Sequence, residues 1–197
     1  MEHYFSKSPS SRMSPDIISA MINGTPYRFA TGSGVFSKER VDRGTLLLAE
    51  SVRIGEGDEV LDLGCGYGVI GIVFAGHAGS VVMTDINERA VELAKTNVKL
   101  NGLKNAEVLQ CDLYDRLGGR KFDKIVCNPP IRAGKSVVNK IIEGAAGHLE
   151  PGGTLYLVAR TKQGAKSIAK KMEQVFGNRE YVRKGGGYRV MASRLTT

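Results

Sequence analysis

The sequence predicts an α/β fold: a doubly wound, Rossmann-like, mostly parallel sheet with helices on both faces, closed by an antiparallel C-terminal hairpin. Three observations predict it. From residue 58 onward short apolar runs alternate with helical patterns, as in βαβ units whose strands are covered on both sides. A glycine-rich turn follows the first of those runs, and Gly185-Gly186-Gly187 separates two strand-like stretches near the end. A length of 197 residues suits one domain with a substantial core. Residues 1–197 therefore read as a single domain, with 1–57 an extension packed on a ligand-binding core of 58–197.

Within the extension, a polar start precedes a short strand around 27–30, a turn at Gly32-Ser33-Gly34 and a helix over about 41–52. In the core, strands are expected at 59–63, 80–84, 106–110, 124–127 and 154–159, with helices between them. The clearest helix spans 88–100: Ala90, Val91, Ala94, Val98 and Leu100 recur near helical spacing, Asn87 caps its start, and Asn101-Gly102 stops it. A helix over 163–175 and strands at 179–184 and 188–192 complete the chain.

Composition narrows the partners. No apolar run approaches the ~18 residues of a membrane helix, and the N-terminus lacks the pattern of a secretory signal, so a soluble cytoplasmic protein is expected. Cys65, Cys111 and Cys127 have no metal-ligand spacing and read as reduced packing residues; His3, His77 and His148 lie in no motif, and no metal is expected. Residues 1–150 hold 18 Lys plus Arg against 18 Asp plus Glu, whereas residues 151–197 hold 10 against 2. The whole net charge of +8 thus sits in the last quarter, which favours a polyanionic partner.

The first core strand runs into Asp62-Leu63-Gly64-Cys65-Gly66-Tyr67-Gly68-Val69-Ile70-Gly71. Such glycines let backbone turn sharply and approach a ligand where a Cβ would collide. Gly66, Gly68 and Gly71 also satisfy GxGxxG, which would suit a dinucleotide pyrophosphate. Charge separates the two readings: Asp62 before the glycines repels a pyrophosphate and attracts the cationic amino-acid end of S-adenosylmethionine. Asp85, ending the second strand, can accept from ribose hydroxyls, and Ile86 can cover an adenine; Asp112, with the Leu113 backbone beside it, can accept from the adenine amino group. The three acids fall at consecutive strand ends, the rim where doubly wound sheets bind ligands.

The fourth strand ends in Asn128-Pro129-Pro130-Ile131. Proline fixes its own φ and holds the preceding residue extended, so the segment is stiff. Without N–H groups on Pro129 and Pro130, it offers the Asn128 side-chain carbonyl and the Pro129 backbone carbonyl as acceptors. Two acceptors holding the N–H bonds of an exocyclic amine would aim its lone pair at a methyl sulfonium.

Together these motifs resemble class I S-adenosylmethionine-dependent methyltransferases that act on amino nitrogens. Gly34-Val35-Phe36-Ser37, Asp42-Arg43-Gly44-Thr45-Leu46-Leu47-Leu48, the run from Asn128 to Lys135, and Phe176-Gly177-Asn178 with Gly187-Tyr188 resemble the small single-domain branch of 16S rRNA guanine-N2 methyltransferases. The resemblance runs from about residue 26 to the end. It implies a seven-stranded sheet, S-adenosylmethionine as donor with S-adenosylhomocysteine as product, and ribosomal RNA or the small ribosomal subunit as partner. It also places Phe36, Ser37 and Thr45 at the rim of the pocket. Arg132 and Lys135 would meet phosphates of an extruded nucleotide, and Lys166, Lys170, Lys171, Arg183 and Lys184 would form a wider electrostatic footprint. One departure is Ile131, where many amine methyltransferases carry an aromatic residue; Phe36 would then supply a stacking face. Related longer enzymes carry a second RNA-recognition domain, so this chain would bind RNA with its own surface as a monomer or pair as a homodimer. Three other readings stay open: a protein glutamine or other amide-nitrogen methyltransferase, an NAD-type oxidoreductase, and a non-catalytic RNA-binding protein.

Overall fold

The computed structural model describes residues 15–32, 35 and 39–196, beginning with a hairpin of β1 (Asp16–Ile22) and β2 (Thr25–Thr31). The elements that follow are α1 (Arg43–Ala49), β3 (Glu59–Leu63), α2 (Val69–Ala75), β4 (Ser80–Asp85), α3 (Glu88–Leu100) and β5 (Ala106–Gln110). After them come β6 (Phe122–Cys127), a 3-10 turn at Ile131–Ala133, α4 (Lys135–His148), β7 (Leu149–Arg160), α5 (Ala165–Phe176), β8 (Glu180–Gly185) and β9 (Tyr188–Arg194).

Seven strands form one sheet in the order β5-β4-β3-β6-β7-β9-β8. Strands β5 to β7 are parallel, and β9 and β8 join antiparallel. The chain winds outward from β3 through β4 to β5, then returns to β6 on the other side of β3. The β3–β6 boundary is therefore the switch point where such sheets leave a crevice at their carboxyl ends. Burial follows from covering both faces. Val60 belongs to the apolar cluster that includes residues of the hairpin, α1, α2 and α3, while its neighbour Leu61 belongs to the cluster on the other side that includes α4 and α5. Both are fully buried, which is why the strand reads as a continuous apolar run instead of an alternating one.

The expected core elements are present, with differences at their edges. The strand expected at 27–30 is half of a hairpin whose turn, Asn23-Gly24, has φ 51° and 78°, the positive pair a type I′ turn requires. The helix expected at 41–52 is confined to Arg43–Ala49, because Asp42 caps its first turn by accepting from Gly44 N and Thr45 N. Strand β7 starts at Leu149, before the expected 154: a register shift opposite Phe122 and Lys124 accommodates Pro151-Gly152-Gly153 within the strand. In the C-terminal hairpin Gly185 pairs with Tyr188, so the turn is Gly186-Gly187 alone, with φ 53° and 82°.

Helix α3 has the expected bounds and ends in a Schellman motif, Leu103 N donating to Val98 O and Gly102 N to Lys99 O, both at 3.1 Å. It also fastens the N-terminal hairpin to the core. Asn97, fully buried, accepts from Ala30 N at 2.6 Å and donates to Ala30 O and Tyr67 O, each at 2.9 Å. Asn101 makes a second tie, accepting from Arg28 N and donating to Arg28 O.

Candidate active site

At the carboxyl ends of the parallel strands lies a cavity of about 730 Å³, within the range that takes a nucleotide-sized ligand. Its floor is the turn after β3. Gly64 N and Cys65 N both donate to Thr84 O, at 2.8 and 2.9 Å, and Gly66 N donates to Asp85 Oδ2 at 2.8 Å, so the loop is stitched to the end of β4. Gly64 and Gly66 have positive φ, and a Cβ on either would project into open space. The glycines thus leave a bare backbone cradle on the cavity wall. Gly68, with φ 93°, starts α2, and a Cβ at Gly71 would collide with Met83, so α2 packs close on the sheet.

The acids at the strand ends take up different tasks. Asp85 lines the cavity beside Ile86 and uses its carboxylate to accept from Gly66 N and Asn87 N. Burial raises its carboxyl pKa above the usual value, against those backbone donors. Asp112 and Leu113 line the far wall; Leu113 takes the left-handed backbone with φ 52°, a conformation uncommon outside glycine. Asp62 stands one residue behind the wall. It is 1% exposed, its Oδ2 accepts from Gly71 N at 2.8 Å, and its buried Oδ1 has no hydrogen-bond partner among the described residues. Burial pushes this carboxyl up to about 7; the Gly71 N–H opposes the shift and the nearby Asp85 adds to it. A buried carboxyl group with one oxygen unpartnered among the described residues, beneath a bare glycine cradle, fits a ligand that brings positive charge.

Asn128, Pro129, Pro130 and Ile131 form the adjoining wall. Pro130 has φ −73° and ψ 78°, and Ile131 N donates to Pro129 O at 2.8 Å, closing an inverse γ-turn. A carbonyl oxygen has two lone pairs, so Pro129 O keeps one for a ligand. The Asn128 side chain is held by its nitrogen: Nδ2 donates to Thr45 Oγ1 at 2.9 Å and to Asp42 Oδ2 at 3.2 Å. Its Oδ1 has no partner among the described residues. Tyr188 donates its hydroxyl proton to Asp42 Oδ1 at 3.2 Å and accepts from Arg160 Nε at 2.8 Å.

Thr45 and Arg132 line the cavity, whereas Lys135 is exposed at the start of α4 and does not; Lys140, further along the same helix, does. Phe36 and Ser37 lie outside the described residues. Cys65, Cys111 and Cys127 are all free and all line the cavity; burial raises each thiol pKa, which makes them poor nucleophiles. Asp42, Arg160, Gln163 and Tyr188 also line it. Asp42 and Tyr188 both fall within runs that carry the family resemblance, but their pairing across 146 positions is visible only in the fold. Among the described residues no His, Cys, Asp and Glu cluster could hold a metal ion, and no helix is long and apolar enough to cross a membrane.

The chain is similar to known proteins in both sequence and structure. Residues 26–192 match the family model described as methyltransferase small domain. Over 197 residues the chain is 40% identical to a Bacillus subtilis (strain 168) protein, uncharacterized protein YbxB, covering 98% of both chains. It is 31% identical to Ribosomal RNA small subunit methyltransferase C of Escherichia coli (strain SMS-3-5 / SECEC), over 83% of this chain and 48% of the other. Among solved structures, the T. thermophilus 16S rRNA N2 G1207 methyltransferase (RsmC), in complex with AdoMet and guanosine, superposes with a TM-score of 0.83 at 30% identity, over 94% of this chain and 52% of that one. The chain therefore spans about half the length of the ribosomal RNA methyltransferases it matches.

Proposed function

The chain belongs to the methyltransferase small domain family, and from that premise we propose that it methylates an exocyclic amine, the N2 of a guanine in small-subunit ribosomal RNA. The methyl donor is S-adenosylmethionine, which supplies an electrophilic methyl on a sulfonium and leaves as S-adenosylhomocysteine. Family membership sets aside the dinucleotide reading of Gly66, Gly68 and Gly71.

The observation that carries the amine acceptor is the orientation of the Asn128 amide. Both hydrogen bonds of its side chain are donated by Nδ2, so Oδ1 remains an acceptor on the cavity wall. Pro129 O, held by the γ-turn, is the second acceptor. An amine that donates one N–H to each has its lone pair directed out of its ring plane, towards the methyl group. Orientation of this kind supplies roughly 7–11 kcal/mol in favourable cases, and the proton left on the methylated nitrogen passes to water. Asp85, Ile86, Asp112 and Leu113 would hold the nucleoside end of the donor, with the backbone of Gly64, Cys65 and Gly66 against its amino-acid end and Asp62 behind them.

The guanine and the ribosomal RNA rest on other support: the likeness to the small-subunit RNA methyltransferases and the basic last quarter of the chain. Arg132 and Lys140, both on the cavity lining, would meet phosphates of the target nucleotide. The test is incubation of unmodified 16S rRNA and 30S particles with the enzyme and methyl-labelled S-adenosylmethionine, followed by mass spectrometry of the nucleosides. N2-methylguanosine is the expected product. Label in N6-methyladenosine would reject the guanine, and label in protein glutamine alone would reject RNA in favour of an amide-nitrogen acceptor.

A further inference from the structure

The run Asp42-Arg43-Gly44-Thr45 lies far from Asn128 in sequence, yet Asp42 and Thr45 share the cavity wall with it. We propose that Asp42 and Thr45, backed by Tyr188 and Arg160, are positioning residues that set the amide orientation of Asn128 and so make the site selective for an acceptor that donates two N–H bonds. The inference rests on the reading of Asn128 as an amine acceptor.

Asn128 Nδ2 carries two hydrogens, and both are taken. Thr45 Oγ1 accepts one at 2.9 Å and Asp42 Oδ2 the other at 3.2 Å. A carboxylate only accepts. Rotating the amide by half a turn would set Asn128 Oδ1 against Asp42 Oδ2, two oxygens with no proton between them, so the rotamer with Oδ1 on the cavity side is selected electrostatically. That makes the difference between the nitrogen and oxygen of this side chain a property of its neighbours.

Asp42 is itself fixed from several sides. Its Oδ2 also accepts from Gly44 N at 2.8 Å and Thr45 N at 3.1 Å, as the cap of α1, and its Oδ1 accepts from the Tyr188 hydroxyl at 3.2 Å. The hydroxyl in turn accepts from Arg160 Nε at 2.8 Å. Along this chain every proton points towards Asp42, so the guanidinium charge and the tyrosine dipole both stabilise the carboxylate that holds Asn128. Gly44 completes the device: a Cβ there would come within 2.7 Å of the Tyr188 ring and 2.9 Å of Asp42 Oδ2. Only glycine lets the ring close on the cap. Each member of Asp42-Arg43-Gly44-Thr45 except Arg43 thus has a task at Asn128, which stands 86 positions away from Asp42.

The test is a double-mutant cycle between Asp42→Ser and Asn128→Ala, with donor binding measured by titration calorimetry and turnover on the RNA substrate. Serine caps a helix about as well as aspartate but is too short to reach Asn128 and Tyr188, so α1 is kept while the hydrogen bond that orients the amide is removed. The expected result for Asp42→Ser is a kcat lowered about 10–100-fold with donor affinity unchanged, and no further loss when it is added to Asn128→Ala. Thr45→Val, which keeps the shape and removes the second acceptor, should lower kcat in the same way. Losses that multiply in the double variant, or an Asp42→Ser enzyme with wild-type kcat, would overturn the proposal. An Asn128→Ala enzyme with wild-type turnover would instead overturn the amine-presenting reading on which it stands.

Discussion

Asp62 is the residue whose chemistry should be seen most directly in solution. Its carboxyl is pushed from 3.8 up to about 7, chiefly by burial. A raised folded-state pKa means that the native protein holds a proton that the unfolded chain has released. The stability this contributes is complete below the unfolded value and is lost as pH rises through about 7. A cationic ligand reverses the preference by favouring the carboxylate. S-adenosylmethionine should therefore bind more tightly at pH 8 than at pH 6, by up to about tenfold per pH unit below the ligand-free pKa, with a proton released on binding. Calorimetry in buffers of different ionisation enthalpy measures that proton. Asp62→Asn should flatten the profile, and an affinity in the wild type that ignores pH would show that the carboxyl is not coupled to the ligand. At this scale the sequence was informative about charge and silent about burial. The sign of Asp62 argued for a cationic ligand, whereas its place behind the wall and its orphaned Oδ1 depend on α2 packing down over it.

Among elements, α3 shows what local patterning can and cannot specify. Its bounds were legible because an apolar stripe, an asparagine cap and an Asn-Gly stop all lie within the helix and its ends. Its role as a clamp was not, since the groups Asn97 satisfies belong to Ala30 and Tyr67, 67 and 30 positions away. The hairpin it clamps was half legible: Asn23-Gly24 is a strong turn signal, but β1 is largely exposed, so the burial alternation that marks a strand is weak there. Replacing Asn97 with alanine would strand the Ala30 N–H and the Ala30 carbonyl in a buried setting and take one donor from the Tyr67 carbonyl. The expected cost is about 3 kcal/mol in urea unfolding, with weakened donor binding because Tyr67 lies in the glycine turn. Asn101→Ala, whose bonds to Arg28 are exposed, should cost under about 1 kcal/mol. Equal effects of the two would mean that the hairpin is not held through the buried asparagine.

On the scale of the whole molecule, the sheet order places the cavity at the β3–β6 boundary and the excess charge on the side of β9, β8 and α5. Tyr188 and Arg160 reach the cavity wall, and from Tyr188 the hairpin runs outward to the edge strand β8. There Arg179, Lys184 and Arg189 lie 4.7, 5.2 and 5.1 Å from the Tyr181 ring. Lys166 and Lys170 stand exposed on α5, while Lys171 and Arg183 are partly engaged by Glu143 and Glu50. If this flank carries the phosphates of an RNA whose target base enters the cavity, its charge should govern KM for RNA and leave the chemistry alone. Reversing Lys166, Lys170 and Lys184 to glutamate should raise KM for RNA at least about tenfold. It should also flatten the salt dependence of binding by about 0.7 in log–log slope for each phosphate of single-stranded RNA that is no longer neutralised. Donor affinity should stay at its wild-type value, because none of the three lines the cavity. A variant that binds RNA with the wild-type salt slope would move the RNA path to another face, and Arg132 and Lys140 at the mouth would be the next residues to reverse.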